Sequence, residues 1–298
     1  MKYECKDDRM IISIGRSFRT LEEFLDEYKQ SRKNKYLLLQ EKKILIDDIP
    51  AKSLQDNIQN RSLTLLTDEE EIDYLPAEKP CQVVYEDAFL YIVHKEPGMI
   101  IHGGKDDPNC LNAFAARYQK DKGIHAPVRP IHRLDRDTTG LVLYSKIPFF
   151  QPWFDEQLKD KKIQRHYLAI TRGTCKENTY FFCDEPIGKD RHQNGKYIVS
   201  QTGNEAHTDV TCLKTRNGYN LFRCILETGR THQIRVHLSY HGYPIVNDPL
   251  YGIKDRNFIH MGLWADEVIF RNPVTKKKHR IHDIPNRDYT YFETEAKI

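Results

Sequence analysis

The chain has 298 residues, of which 39% are hydrophobic and 30% charged, and this length and composition predict about two domains with ordinary buried cores. It has no run of about 18 apolar residues and no apolar stretch behind a basic start, so the sequence predicts neither a membrane span nor a signal peptide. The seven cysteines are an odd number without a C-x-x-C pair, which excludes a small disulfide scaffold and a zinc ribbon. We therefore expect a cytoplasmic protein.

Charge is distributed unevenly along the chain. Residues 1–78 carry a net charge of −4, and the remaining residues carry +7. Six acidic residues lie within residues 68–78, and prolines stand at positions 76 and 80, near the end of this stretch. This composition predicts a linker over residues 68–80 between two mildly basic bodies. A mild excess of positive charge is compatible with a polyanionic partner but does not require one.

The first 67 residues are predicted to form a small α/β module. Thr20 and Glu23 have the spacing of a capping box, and apolar residues follow at helical spacing. A second short helix is expected around Lys35–Gln40. Residues 43–48 are typical of a strand that runs into a turn.

From residue 81 to residue 298 the pattern predicts a larger α+β domain. Aromatic residues at 149, 150, 153 and 154 fall on one helical face, which predicts a core helix there. A second helix is predicted over residues 231–240. Short apolar runs predict strands at residues 83–85, 90–95, 141–144, 167–170 and 221–226. We expect a central mixed, mainly antiparallel sheet assembled from non-adjacent segments and flanked by helices.

The most informative segment runs from His132 to Gly140 and leads into a predicted strand. Within it, Asp135 is bracketed by Arg133 and Arg136, and nearby cations favour the charged form of a carboxylate. Such a carboxylate could serve catalysis. The alternative is a salt-bridged turn in which Asp135 or Asp137 binds backbone amides ahead of the strand.

A second cluster of polar residues lies on the predicted helix over residues 231–240. His237 and His241 are four residues apart, a spacing at which two imidazoles can share a metal. A metal-dependent hydrolase that uses His232, His237 and His241 is therefore one alternative function. No H-E-x-x-H pattern and no carboxylate at ligand spacing supports it, so we expect no metal site.

Four segments, in order and spacing, resemble the motif set of the RluA-type pseudouridine synthase family. They are residues 83–104, 132–146, 165–170 and 229–252. The resemblance extends over about 200 residues, and four ordered motifs are far more specific than one short motif.

The resemblance implies an enzyme that isomerises uridine to pseudouridine within RNA, with no cofactor and no metal. Asp135 matches the family's catalytic aspartate, which acts as base or nucleophile while the C1′–N1 bond breaks and uracil rejoins through C5. Tyr167 matches the tyrosine that packs against uracil and is a candidate base for the C5 proton. Arg235 matches the arginine that pairs with the aspartate, and Arg133 the arginine that helps hold the everted nucleotide's place.

Further RNA contacts are predicted around these residues. We assign His132 and Arg230 to the RNA-binding set with Arg133, and regard His132 mainly as a structural hydrogen-bonding residue. The basic run over residues 276–280 either contacts the RNA backbone or is a solvated turn.

The N-terminal module resembles the alpha-L RNA-binding motif, in a degenerate form. Apolar residues of its predicted first helix and the strand around Ile44–Ile46 fit the pattern. Lys42 and Lys43 stand where the motif has a glycine, and Thr20 stands where an arginine is usual. The sequence leaves open whether this module binds RNA.

An enzyme that alters a stacked base must first extrude it from the helix. Extrusion costs less free energy for unpaired uridines in structured RNA, so these are the expected substrates. The resemblance favours large-subunit ribosomal RNA, with transfer RNA as the alternative, and a monomer without a nucleotide cofactor. A rival function is an RNA-binding protein that has lost catalysis on the same scaffold.

Overall fold

The N-terminal module is an antiparallel sheet covered by two helices. A computed structural model of the chain describes residues 1–6, 9–67, 71–283 and 287–292. The module contains β1 (Lys2–Lys6), β2 (Arg9–Ser13), α1 (Leu21–Glu27), α2 (Arg32–Gln40), β3 (Ile44–Ile46), β4 (Ile49–Pro50) and β5 (Ser62–Leu66). Its strand order is β1-β2-β5-β3-β4.

Side-chain caps explain where the two helices of the module begin. The Thr20 hydroxyl accepts a hydrogen bond from the Glu23 amide at 3.3 Å, which confirms the predicted helix start. The Ser31 hydroxyl accepts from the Asn34 amide at 3.2 Å, so α2 begins at Arg32, three residues before the predicted start. The Glu23 carboxylate completes the first cap by accepting from the Arg19 amide.

The larger unit is built on a ten-stranded sheet. Its elements are β6 (Gln82–Glu86), β7 (Leu90–Lys95), α3 (Leu111–Lys122), β8 (Arg129–Pro130), β9 (Thr139–Ser145), α4 (Gln151–Lys159), β10 (Gln164–Arg172), β11 (Tyr180–Cys183), β12 (Ile187–Lys189), β13 (Tyr197–Val199), β14 (Thr208–Arg216), β15 (Tyr219–Leu226), α5 (Gln233–Tyr240), β16 (Leu263–Arg271), β17 (Lys278–His282) and α6 (Arg287–Thr290). A 3₁₀ turn over Pro148–Phe150 precedes α4, and β12 pairs with β13 outside the large sheet.

The main path of the large sheet is β11-β14-β15-β10-β16-β9-β7-β6, with β17 beside β16 and β8 beside β9. In the part of the chain that the structure describes, every pair in this sheet is antiparallel except β9 with β16. The mixed, mainly antiparallel sheet is the architecture expected from the sequence.

Gly140 allows the parallel pair to form. It has φ +115°, and a side chain at this position would collide with the backbone carbonyl of Ala265 on β16. The pairing brings the N-terminal end of β9 against β16, next to β10. The loop before β9 and the residues of β10 therefore face one cleft.

The module packs firmly on the larger unit. One hydrophobic cluster includes Phe24 and Tyr28 of the module together with Phe150 and Trp153 of the larger unit. The Tyr28 hydroxyl donates to the Pro273 carbonyl at 3.0 Å across this boundary. The two predicted bodies thus share a core, although the predicted domain boundaries themselves stay a prediction.

The acidic stretch predicted as a linker lies partly outside the described residues, at 68–70. Its remainder runs along the larger unit, where Asp73 accepts from the Val128 amide and from Arg129 at 2.8 Å. The Ala77 amide donates to the Ala113 carbonyl of α3 at 2.9 Å. From Asp73 onward the stretch is bonded to the fold.

The basic run over residues 276–280 forms the end of the turn between β16 and β17 and the first three residues of β17. Lys276 pairs with Glu27 at 2.8 Å and lies over the ring of Trp153, while Arg280 pairs with Glu267 at 3.0 Å. These contacts give the run a role in the fold. None of the helices in the described ranges is both long and apolar enough to cross a membrane.

Candidate active site

Asp135 lines a cleft that is open to solvent. It sits in the loop between β8 and β9, where its carbonyl accepts from the Thr138 amide at 3.2 Å. Its side chain is 26% exposed, so a ligand can reach the carboxylate. The cleft is also lined by residues of β10 and by the loop that leads into α5.

Arg235 connects Asp135 to a second, buried carboxylate. Its Nη1 donates to Asp135 Oδ2 at 3.0 Å, while its Nε and Nη2 donate to the two oxygens of Asp248 at 2.7 and 2.8 Å. Arg235 is 4% exposed, and the Asp248 side chain is fully buried. Burial alone would lower the pKa of Arg235, but the two carboxylates raise it above its ordinary value. The guanidinium is therefore a permanent cation in a fixed orientation.

Tyr251 and His232 complete the surroundings of this pair. The Arg235 guanidinium lies over the Tyr251 ring at 5.1 Å, and the Tyr251 hydroxyl is 2.9 Å from His232 Nδ1. Nε2 of His232 is 3.9 Å from Asp135 Oδ2. Burial lowers the pKa of His232, with Arg235 adding to the effect, so the imidazole is neutral at pH 7.

The same histidine explains why α5 begins at Gln233 and not at the predicted residue 231. His232 has φ +58°, a left-handed conformation that interrupts the helix. The helix still carries Arg235 in its first turn, with the side chain directed at the loop of Asp135.

Tyr167 forms a wall of the cleft. It lies on β10 at an irregularity in the pairing with β16, between His166 and Leu168, and is 4% exposed. Burial raises the pKa of its hydroxyl, and Asp135 adds to this, so the phenol stays protonated at neutral pH.

Three arginines line the cleft in addition to Arg235. Arg133 and Arg230 belong to the predicted RNA-binding set, and both are exposed. The third, Arg165, is half-buried, and its Nε has no hydrogen-bond partner in the described ranges. His132, also in the predicted set, is buried and is not among the residues that line the cleft. The cleft is thus strongly positive around one carboxylate.

Lys95 is hydrogen-bonded to the loop that contains Asp135. This fully buried lysine ends β7, and its ammonium donates to the carbonyls of Glu96, Met99 and Arg136 at 2.8–2.9 Å. Burial lowers the pKa of Lys95 to about 8, although the negative charges of Asp137 and Asp135 act to raise it. The three donors of one ammonium are all used.

We expect Lys95→Met to destabilise the protein by about 2–3 kcal/mol, because three carbonyl oxygens lose their donor in a buried site. Urea denaturation of both proteins measures the difference. The exposed Lys159 gives a matched control, since Lys159→Met should change stability by less than about 0.5 kcal/mol. Equal midpoints for Lys95→Met and wild type would contradict this role.

His132 should make stability depend on acid pH. Burial lowers its pKa to about 3, with Arg165 contributing, whereas an unfolded histidine has a pKa of about 6.5. Below pH 6.5, His132 binds a proton in the unfolded chain but not in the folded chain. The folded state therefore loses stability as the pH falls.

At pH 5 this loss amounts to about 2 kcal/mol for His132 alone. Denaturation of His132→Asn and of His132→Gln at pH 7.5 and pH 5 should show a pH effect smaller than that of the wild type by this amount. If both variants lose as much stability as the wild type, the folded protein does not keep His132 neutral.

Of the predicted site residues, the structure brings Asp135, Tyr167, Arg235, Arg133 and Arg230 to the same cleft. Sequence reasoning assigned no role to Asp248, Arg165 or Lys95. One signal was available for Asp248, because an arginine on the apolar side of a helix needs a buried partner. The alternative metal set is not assembled: His237 bonds Thr208 and the Glu185 carbonyl, and His232 bonds Tyr251.

Comparisons with known proteins identify the family that the chain resembles. Residues 90–240 match the family model described as RNA pseudouridylate synthase. The RNA pseudouridine synthase YlyB of Bacillus subtilis is 34% identical over 211 residues, which are 69% of each chain. Ribosomal large subunit pseudouridine synthase D of Yersinia pestis is 30% identical over 243 residues, covering 80% of this chain and 73% of the relative.

A solved structure shows the same fold. Human RNA Pseudouridylate Synthase Domain Containing 1 superposes with a TM-score of 0.59 at 21% identity, over 70% of this chain and 84% of the other. The resemblance expected from four sequence motifs is therefore confirmed. The chain belongs to the RluA-type RNA pseudouridine synthase family, whose members are isomerases that act on uridine in RNA.

Proposed function

We propose that this enzyme isomerises unpaired uridines of large-subunit ribosomal RNA, with Asp135 as its catalytic carboxylate. The observation that carries the proposal is the Asp135–Arg235–Asp248 arrangement, in which a buried cation fixes a carboxylate that a ligand can reach. Two relatives, from Nitrosomonas europaea and Yersinia pestis, are named as ribosomal large subunit synthases, which supports this substrate.

Asp135 is the single acidic residue among those that line the cleft in the described ranges. Hydrolysis of a glycosidic bond ordinarily uses two carboxylates across the bond, so one carboxylate favours an isomerisation. In this reaction the C1′–N1 bond of an everted uridine breaks, uracil turns, and a C1′–C5 bond forms. Asp135 assists either as nucleophile at C1′ or as base at the sugar.

Tyr167 is proposed to retain the detached uracil. Its buried ring offers a flat surface beside Asp135, and excluding water there protects the intermediate from hydrolysis. The raised pKa of its hydroxyl favours packing and hydrogen-bond donation over removal of the C5 proton.

The arginines around the cleft are proposed to bind the phosphates that flank the target nucleotide. Arg133 and Arg230 are exposed at its rim, and Arg165 lies deeper on β10. Extruding a base costs a few kcal/mol, and charge-assisted contacts to the backbone offset part of that cost. We propose that the enzyme acts as a monomer, as the family resemblance implies.

Carbodiimide mapping of pseudouridine in total RNA, from cells with and without the gene, tests the proposal. Loss of modification at one or a few large-subunit uridines, restored by the wild-type gene, is the expected result. Sites lost only in transfer RNA would overturn the proposed substrate. An unchanged map, together with no activity of the purified protein on unmodified ribosomal RNA, would overturn the proposed function.

A further inference from the structure

Three potential metal ligands meet at the end of α5, away from Asp135. They are Cys183, which ends β11, Glu185 in the next loop, and His241, which follows the last residue of α5. The Cys183 sulfur, a Glu185 carboxylate oxygen and a His241 ring nitrogen all lie within 4.8 Å of one another. A thiol, a carboxylate and an imidazole at one point are the ligand types that zinc takes in proteins.

The polar atoms of this cluster lack the hydrogen bonds expected for buried groups. Glu185 Oε2 and His241 Nε2 are both buried, and neither has a hydrogen-bond partner in the described ranges. His241 Nε2 is 2.9 Å from Glu185 Oε1, but without the geometry of a hydrogen bond. Leaving two such atoms unsatisfied is unfavourable, and a shared cation would satisfy both. Cys183 beside them is completely buried.

The surrounding contacts orient the ligands. The Glu185 carbonyl is 3.0 Å from His237 Nε2, and His237 Nδ1 is 2.9 Å from the Thr208 hydroxyl. His237 thus fastens the loop of Glu185 to α5 one turn before His241. A cation at this point also lies at the C-terminal end of the helix, where the helix dipole favours positive charge.

We propose that Cys183, Glu185 and His241 bind one Zn²⁺, with a water in the fourth position. Around tetrahedral zinc, donors at about 2.0–2.3 Å from the metal lie roughly 3.3–3.7 Å apart, so small side-chain rotations suffice to reach that geometry from the observed spacing. Binding releases the thiol proton of Cys183 to solvent.

This site differs from the metal set that the sequence suggested. It uses His241 without His232 or His237, and it takes its other two ligands from a segment more than fifty residues earlier. The zinc would fasten β11 to the end of α5, about 9 Å along the helix from Arg235. We assign the zinc no part in the proposed isomerisation.

The test uses the full-length protein, stripped with chelator, loaded with one equivalent of Zn²⁺ and dialysed. We expect about one zinc per chain by elemental analysis, with a melting temperature that rises with zinc concentration. Cys183→Ser and His241→Gln should each bind zinc at least about tenfold more weakly, since loss of even an outer-shell partner costs that much. Cys5→Ser and His192→Gln, which alter exposed residues, should bind as the wild type does.

Co²⁺ provides a second measurement that does not depend on stability. The wild type and Cys5→Ser should show a thiolate-to-cobalt charge-transfer band that Cys183→Ser lacks. Circular dichroism of each metal-free variant checks that it is folded. Zinc content no higher in the wild type than in Cys183→Ser, or a cobalt complex without the thiolate band, would overturn the site and leave Glu185 and His241 as an ion pair only.

Discussion

Asp135→Asn is expected to abolish pseudouridine formation and to leave RNA affinity within about twofold. The amide cannot act as nucleophile or base, and loss of a central catalytic group costs roughly 10⁴-fold or more in rate. It can still accept the hydrogen bond from Arg235 Nη1, and Arg235 keeps both bonds to Asp248. The cleft should therefore retain its shape and its cations. Single-turnover assays on a target RNA fragment, together with filter binding, separate the two effects.

Asp137→Asn provides a matched control for this experiment. Asp137 lies two residues further along the same loop but is not among the residues that line the cleft. The substitution makes the same chemical change near Lys95 without touching the proposed reacting position, so most activity should remain. An active Asp135→Asn beside an inactive Asp137→Asn would move the catalytic role to Asp137. An active Asp135→Asn with an active control would remove the carboxylate from the mechanism.

Local sequence signals correctly predicted those helices and strands whose ends they determine. Residues 90–95 form β7 with the predicted bounds, because an apolar run ends at a Pro-Gly pair. The helix at Thr20 begins where its cap indicated. The start of α5 was predicted two residues early, because the left-handed conformation of His232, which contacts Tyr251 and lies near Asp135, leaves no mark in the local pattern.

Strand β16, at the centre of the large sheet, was missed for a physical reason. Its sequence contains Asp266 and Glu267, which are typical of an exposed turn, yet both are buried. They tolerate burial because Arg223 of β15 pairs with Asp266 at 2.6 Å and Arg280 of β17 pairs with Glu267 at 3.0 Å. Both partners lie on other strands of the sheet, so the pattern of residues 263–271 alone does not predict a strand.

The same difference between local and long-range signals applies to the residues of the site. Asp135 and Arg235 are 100 residues apart, and no local periodicity links them. The family resemblance named both, and the structure brings them to 3.0 Å. Asp248 stayed unassigned because an acidic residue before a proline is ordinary in a turn. Its importance comes from the buried arginine that it faces. The helix pattern indicates that this arginine needs a buried partner but does not identify which residue it is.

Asp248→Ala should therefore have a large effect on stability as well as on activity. It leaves the Arg235 guanidinium buried without its two-bond partner, and breaking a buried ion pair from one side costs about 3–5 kcal/mol. It also removes the acceptor for the Leu250 and Tyr251 amides. Urea denaturation measures the loss. The exposed pair of Arg117 and Asp121 is the control, since Asp121→Ala should cost no more than about 0.5 kcal/mol.

A double variant separates the structural part of this effect from the catalytic part. Asp248→Leu with Arg235→Leu removes both charges from the buried site, so most of the stability lost in Asp248→Ala should return. Activity should not return, because Asp135 then lacks the cation that fixes it. A stable and active double variant would show that the buried pair serves only the fold. A stable and inactive one would mean that the arginine is kept in the core, at a cost in desolvation, to orient one carboxylate.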